Sequence, residues 1–215
     1  IERRAVDSEP PLAAAQQRLW IIEQLQPGNP AYHLPWATRL RGALELPALQ
    51  RAVDELVRRH ESLRTVFRVR EGVPVQVVAA AGSLSITVNE RAVDENELRS
   101  TLTHLSQQPF DFATGPLWRV TVLALGESEH VLHMVAHHII SDAWSQAVIR
   151  RDLAALYNAA VADEPAELPA LPIQYADFAA WQHALLKSAT GAVTLDFWRA
   201  HLDGAPPTLE LPTDH

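Results

Sequence analysis

The segment His130–Tyr157, HVLHMVAHHIISDAWSQAVIRRDLAALY, reads as a strand, a short turn and a long helix, and its reading decides the fold. The run up to Ala136 has the apolar content of a strand placed centrally in a sheet. His137 and His138 then set polar groups at the strand's C-terminal end, where α/β folds often hold ligands. Beyond Asp142, apolar positions at Trp144, Ala147, Val148, Leu153, Leu156 and Tyr157 mark the helix. If strand geometry persists through His137 and His138, their side chains point to opposite faces, so one looks into a cleft while the other turns inward. Asp142, just before the helix, can cap backbone N–H groups, hold an imidazole tautomer or pair with an arginine.

Working outward, Leu12, Ala15, Leu19, Ile22 and Leu25 recur at helical spacing until Pro27-Gly28-Asn29-Pro30 stops the pattern. Leu34, Trp36, Thr38 and Leu40 alternate as on a strand over residues 32–41. Pro47 opens a helix with Leu49, Ala52, Val53, Leu56 and Val57 on one stripe, ending near His60, and Arg58 and Arg59 suit its C-terminal dipole. Residues 65–70 and 73–78 form a hairpin across Glu71-Gly72, with a further strand expected over 84–90. Asp94 and Glu97 resemble a capping box for a helix carrying Leu98, Leu102 and Leu105. Apolar runs at 117–125 and 130–136 form two central strands. A proline-bearing loop (Pro165, Pro169, Pro172) precedes helices near 175–186 and 193–202. The expected fold is an α/β (α+β) layered sandwich with a mixed central sheet and flanking helices.

The 215 residues are 47% hydrophobic, ample for a core. No apolar run approaches the roughly 20 residues of a membrane span, and Ile1-Glu2-Arg3-Arg4 is no secretory start. The absence of cysteine removes disulfides and thiolate chemistry and fits a reducing compartment, with the cytoplasm as the default location. A formal net charge of -8 argues against nucleic acid as a partner. The missing initiator Met points to a fragment of a longer chain.

His133, His137, His138 and Asp142 are close enough in sequence to raise a metal site. On a strand, however, His133 and His137 lie about 13 Å apart at roughly 3.3 Å per residue, too far for one ion, so no metal ligand is assigned. There is no G-x-S-x-G elbow, no phosphate loop and no G-x-G-x-x-G turn. Two readings remain on the residues alone: paired histidines that only satisfy hydrogen bonds, or a histidine acting on a substrate that needs no protein nucleophile.

HHIISDAWS (His137–Ser145) resembles the H-H-x-x-x-D-G motif of the condensation domains of nonribosomal peptide synthetases, members of the chloramphenicol-acetyltransferase-like superfamily. Three more motifs follow the family's order. AAAQQRLWII from Ala13 resembles S-x-A-Q-x-R-L-W-x-L, RHESLRTVF from Arg59 resembles R-H-E-x-L-R-T-x-F, and YADFAAW from Tyr175 resembles Y-x-D-F-A-x-W. Two positions depart from the pattern: Ala13 stands for the usual Ser, and Ala143 for the Gly after the motif Asp. The resemblance covers residues 11–215, about half the family's usual length. It implies residues 1–10 as a linker from an upstream carrier domain, 11–172 as the N-terminal lobe, and 173–215 as the start of a C-terminal lobe whose remainder is absent.

What the resemblance implies for chemistry is attack by the α-amine of an acceptor aminoacyl thioester on a donor acyl or peptidyl thioester. Both ride on phosphopantetheine arms of carrier domains, with an adenylation domain adjacent; the domain itself binds no cofactor. Carried over by position, His138 is catalytic, His137 structural, and Asp142 orders the loop, with Arg64 or an arginine of the absent lobe as its ion-pair partner. Ala143 marks a place where substrate fit can differ, provided the position needs no positive φ. Leu19 is read as core and Arg18 as a buried-pair or interface arginine. Arg59, His60, Glu61 and Arg64 brace the fold, and Tyr175, Asp177 and Trp181 pack between lobes. An epimerisation domain and a non-catalytic carrier-docking lobe are the alternatives.

Overall fold

The structure, a computed structural model, describes residues 1–5, 9–206 and 208. In chain order the elements are α1 (Ala14–Leu25), β1 (His33–Arg41), α2 (Leu46–Arg59), β2 (Thr65–Arg70), β3 (Val73–Val78), β4 (Asn89–Ala92) and α3 (Glu95–Gln107). They continue with β5 (Trp118–Gly126), β6 (Glu129–His137), α4 (Ala143–Ala162), α5 (Tyr175–Leu186) and α6 (Ala189–His201).

The main sheet has the order β1-β6-β5-β4, with β6 antiparallel to both neighbours and β4 running parallel to β5 at the edge. The apolar run before the histidine pair is therefore a central strand, buried from His130 to His137. Such continuous burial requires cover on both faces. On one face His133 meets Ser106 of α3; on the other, Met134 and Ala136 border a small cavity with Ile149 and Arg150 of α4. The α2 stripe predicted from spacing is buried in full, against Ile149, Leu153 and Leu156 of α4.

β2 and β3 form a separate hairpin, and Glu71 (φ 50°) and Gly72 (φ 80°) both take the positive φ of a type I′ turn. Asp94 caps α3 by accepting the Asn96 N–H. At Gly191 a Cβ would lie 2.3 Å from the Leu185 carbonyl, so only glycine lets α6 fold back this closely on α5.

Two expectations are corrected. The strand expected over 84–90 begins only at Asn89 and ends at Ala92. Ile86 leaves the ladder to enter the core at 3% exposure, and its carbonyl is taken by the Gln50 side chain; burying one residue outweighed continued strand pairing. The apolar stripe that leads into α1 is core only in part: Leu12, just ahead of the helix, is buried in the core and Leu19 packs against it, but the helix face as a whole is not core. Its buried side chain is Gln16, while Leu19 and Ile22 are half-buried and Ala15 and Arg18 exposed along a cleft. No helix among the described residues is long and apolar enough to cross a membrane.

Candidate active site

The cleft has a volume of about 550 Å³ and lies between α1, the turn from β6 into α4, and the segment Leu171–Tyr175. The β6 backbone delivers the two histidines to different places. The His137 N–H donates to the Leu117 carbonyl at 2.9 Å on the β5 side, and the next N–H, of His138, donates to the Tyr32 carbonyl at 2.8 Å on the β1 side. Side chains alternate accordingly: His137 is 2% exposed, whereas His138 stands open in the cleft.

His137 sits in an aromatic box. Its ring meets Phe112 edge-on at 4.6 Å between centroids, with His33 at 5.8 Å and Phe110 at 6.2 Å. Burial first, then the nearness of His33 and His138, pushes its pKa down to about 3, so the ring is neutral at pH 7. Its Nδ1 accepts the Ile139 N–H at 3.1 Å, which places the ring proton on Nε2. This side chain shapes the turn and has no path to the cleft.

Asp142 resolves its three possible roles as a helix cap. Its Oδ1 accepts the Ser145 N–H at 2.7 Å and the Ser145 hydroxyl at 2.6 Å, and these bonds hold the carboxyl below the usual range. Arg64 is not its partner. The guanidinium lies 3.6 Å from Glu61 and donates to the Ala79 carbonyl. Residues Glu61–Arg64 form a 3₁₀ turn that sets Glu61 and Arg64 one turn apart on one side. Among the described residues Asp142 enters no ion pair. Ala143 is exposed as the first residue of α4, and positive φ occurs at other residues, so the methyl replacing the expected hydrogen is unstrained.

Two positioning groups were given no role in the sequence reading, although Gln16 stands at the glutamine of the first-helix motif. Gln16, 3% exposed, accepts the Ala13 N–H at 3.0 Å, while its Nε2 lies 3.2 Å from both the Ile139 carbonyl and Gln76 Oε1. It thereby ties α1 to the residue after His138. The available signal was a glutamine four residues after Leu12, on a helix face otherwise apolar. The second is Asp152, fully buried on α4, which binds Arg59 and His60 at 3.0 Å each and Arg151 at 2.8 Å. An aspartate inside an apolar helical stripe, read against the Arg-His pair ending α2, was its signal. Arg59, His60 and Glu61 do brace the fold, Glu61 by binding Arg4 at 2.8 Å.

A mixed sheet with helices on its faces and one open imidazole at a central strand's end defines an α/β domain built around a histidine-bearing cleft. The chain belongs to the condensation-domain family of nonribosomal peptide synthetases, whose family model, Condensation domain, matches residues 6–215. It is 41% identical over 210 residues to chondramide synthase cmdD of Chondromyces crocatus, covering 95% of this chain and 5% of that protein. It is 40% identical over 220 residues to phosphinothricin tripeptide synthetase PhsC of Streptomyces viridochromogenes, covering 100% of this chain and 20% of that one. The crystal structure of the X-domain from teicoplanin biosynthesis superposes with a TM-score of 0.88 at 34% identity, over 100% of this chain and 48% of that one. A further structure holds that X-domain in complex with OxyB. The chain thus spans about half the length of these solved domains and a small part of the curated synthetases.

Proposed function

We propose that this chain carries the histidine-bearing wall of a condensation catalyst, joining a donor acyl or peptidyl thioester to the α-amine of an acceptor aminoacyl thioester. Both substrates arrive on phosphopantetheine arms of carrier domains, upstream for the donor and downstream for the acceptor, with an adenylation domain nearby, in the cytoplasm. One observation carries the reading: His138 alone of the motif pair opens into the cleft, with its backbone pinned by Tyr32 and the following carbonyl by Gln16. Residues 11–172 form one lobe in this reading, and 173–215 begin a second. The exposed apolar face of α6, where Val193 is 70% and Phe197 60% exposed, supports further chain packing there.

In the reaction the amine nitrogen attacks the thioester carbonyl, the C–N bond forms and the C–S bond breaks. The amine's proton passes to His138 and on to the departing thiolate. Thioesters are already reactive, so orienting two tethered substrates supplies much of the acceleration, about 7–11 kcal/mol in well-aligned systems. Proton transfer by a placed imidazole is worth a further 10²–10⁴-fold, roughly.

The test is condensation between loaded carrier domains, catalysed by the chain combined with a polypeptide supplying the other half of the domain. His138→Ala should cut turnover by about 100-fold or more while leaving the melting temperature near that of the parent. Undiminished turnover would overturn the assignment. A second reading follows from the likeness to an X-domain captured with OxyB: a platform that binds another protein. It is favoured if the combined halves bind loaded carriers yet form no amide.

A further inference from the structure

The buried cluster around Asp152 reaches the cleft through one ring. Asp152 is completely buried. Its Oδ2 accepts from Arg59 Nε and His60 Nε2, each at 3.0 Å, and its Oδ1 from Arg151 Nε at 3.0 Å and Nη2 at 2.8 Å. Burial opposes the charge, but the bonds from Arg151, His60 and Arg59 outweigh it and lower the carboxyl's pKa. The carboxylate is therefore ionised and can only accept, so His60 Nε2 must donate. Burial, working against the bond to Asp152, draws the His60 pKa below its ordinary value, leaving the ring neutral at pH 7.

A neutral ring with its proton on Nε2 has a bare lone pair on Nδ1. That nitrogen enters no hydrogen bond among the described residues, and His60 lines the same cleft as His138. The neighbouring polar side chain, Gln174, has both ends of its amide committed, to the Glu61 N–H at 3.1 Å and the Arg59 carbonyl at 3.0 Å. Charge neutralisation at Asp152 is already met by two arginines. A third donor in the form of an imidazole, with 13% of its side chain exposed, leaves an acceptor nitrogen on a residue that lines the cleft.

We propose that His60 is a positioning residue for the thioester ligand, its Nδ1 accepting a hydrogen bond from an amide N–H of the pantetheine arm. This rests on the reading that the cleft receives pantetheine-borne thioesters. Asp152 fixes the tautomer and the ring's orientation, as the outer partner of a ligand-binding histidine does elsewhere. The reacting carbonyl belongs to His138; His60 holds the arm that carries it.

Two probes test this: S-acetylpantetheine and its analogue with ester oxygens in place of the amide nitrogens. Titrated into the chain and followed by calorimetry, the amide should bind about fivefold more tightly than the ester, the value of one net hydrogen bond. In His60→Phe that preference should fall to about onefold. Nitrogen-15 spectra of the unmodified protein give a readout independent of how the variant folds: the His60 Nδ1 signal should move with the amide ligand and stay still with the ester. Binding that shifts the His138 ring signals while His60 Nδ1 stays unmoved, or a preference undiminished in a folded His60→Phe, would overturn the inference alone. If neither probe binds, the reading of the cleft falls and this inference with it.

Discussion

At the scale of single residues, His137 and His138 are adjacent and chemically identical, yet the pleat gives them opposite fates. Alternation was legible in the spacing, and the family resemblance gave His138 the cleft and His137 the structural role; the spacing alone did not say which faced inward, because that depends on Phe110, Phe112 and His33 converging from distant segments. The cost of burying His137 has a pH signature. Its folded pKa of about 3 lies below the unfolded value near 6.5, so between those limits the unfolded state binds the extra proton. The stability contributed by the neutral ring is complete above pH 6.5 and is lost as pH falls towards 3, at up to about 1.4 kcal/mol per pH unit. His133, held down to about 4 by burial and Arg119, adds a second loss of the same sign. His137→Asn keeps an acceptor for the Ile139 N–H in the form of an Asx turn but cannot titrate in this range. Denaturant unfolding at pH 6.5, 5.5 and 4.5 should show the variant weaker at pH 6.5 by about 1–3 kcal/mol, for lost ring packing. Its acid slope should be shallower by about one proton. An unchanged slope would mean His137 titrates normally in the folded state.

At the scale of elements, α2 was legible throughout because its stripe obeys one rule, burial against α4. α1 broke the same rule because its apolar face borders a cleft, and a cleft wall and a core wall look alike in periodicity. The start of α1 shows a related compromise. Ala13 has the extended dihedrals of an N-cap (φ −63°, ψ 156°) but no side-chain oxygen, so the returning bond from Gln16 to the Ala13 N–H is half of a capping box. Ala13→Ser supplies the missing acceptor for a first-turn N–H. Ala13 is 1% exposed, so the hydroxyl must make that bond to offset its burial. With it made, the variant should gain about 1 kcal/mol. The check is the unfolding midpoint in denaturant, with hydrogen exchange localising any added protection to α1. A loss of stability would show that the buried hydroxyl stays unpaired.

At the scale of the whole molecule, the first residues are stapled to the segment that runs from Leu171 into α5. Arg3 donates to the carbonyls of Leu171 and Pro172 at 2.8 and 2.9 Å, and Arg4 binds Asp177 at 3.0 Å and Glu61 at 2.8 Å. The first residues, read from sequence as linker, carry these contacts because Asp177 needs a cation: it is 3% exposed, and its oxygens also take the Arg4 and Gln174 N–H groups. No local pattern announces a contact spanning 173 residues; it exists only once α5 has folded back beside α1. The staple also holds Leu171–Tyr175, one side of the cleft. Arg4→Met removes the charge but keeps most of the stem, leaving Asp177 buried without its cation, at a cost of about 3–5 kcal/mol. Asp177→Asn added to Arg4→Met removes the stranded charge, so the double variant should recover roughly half of that loss. Denaturant unfolding of the two singles and the double measures the coupling, and hydrogen exchange should show α5 opening first in Arg4→Met. Costs that add with no recovery would mean that the two groups stabilise the fold independently and that the cleft's outer wall stands without the N-terminal staple.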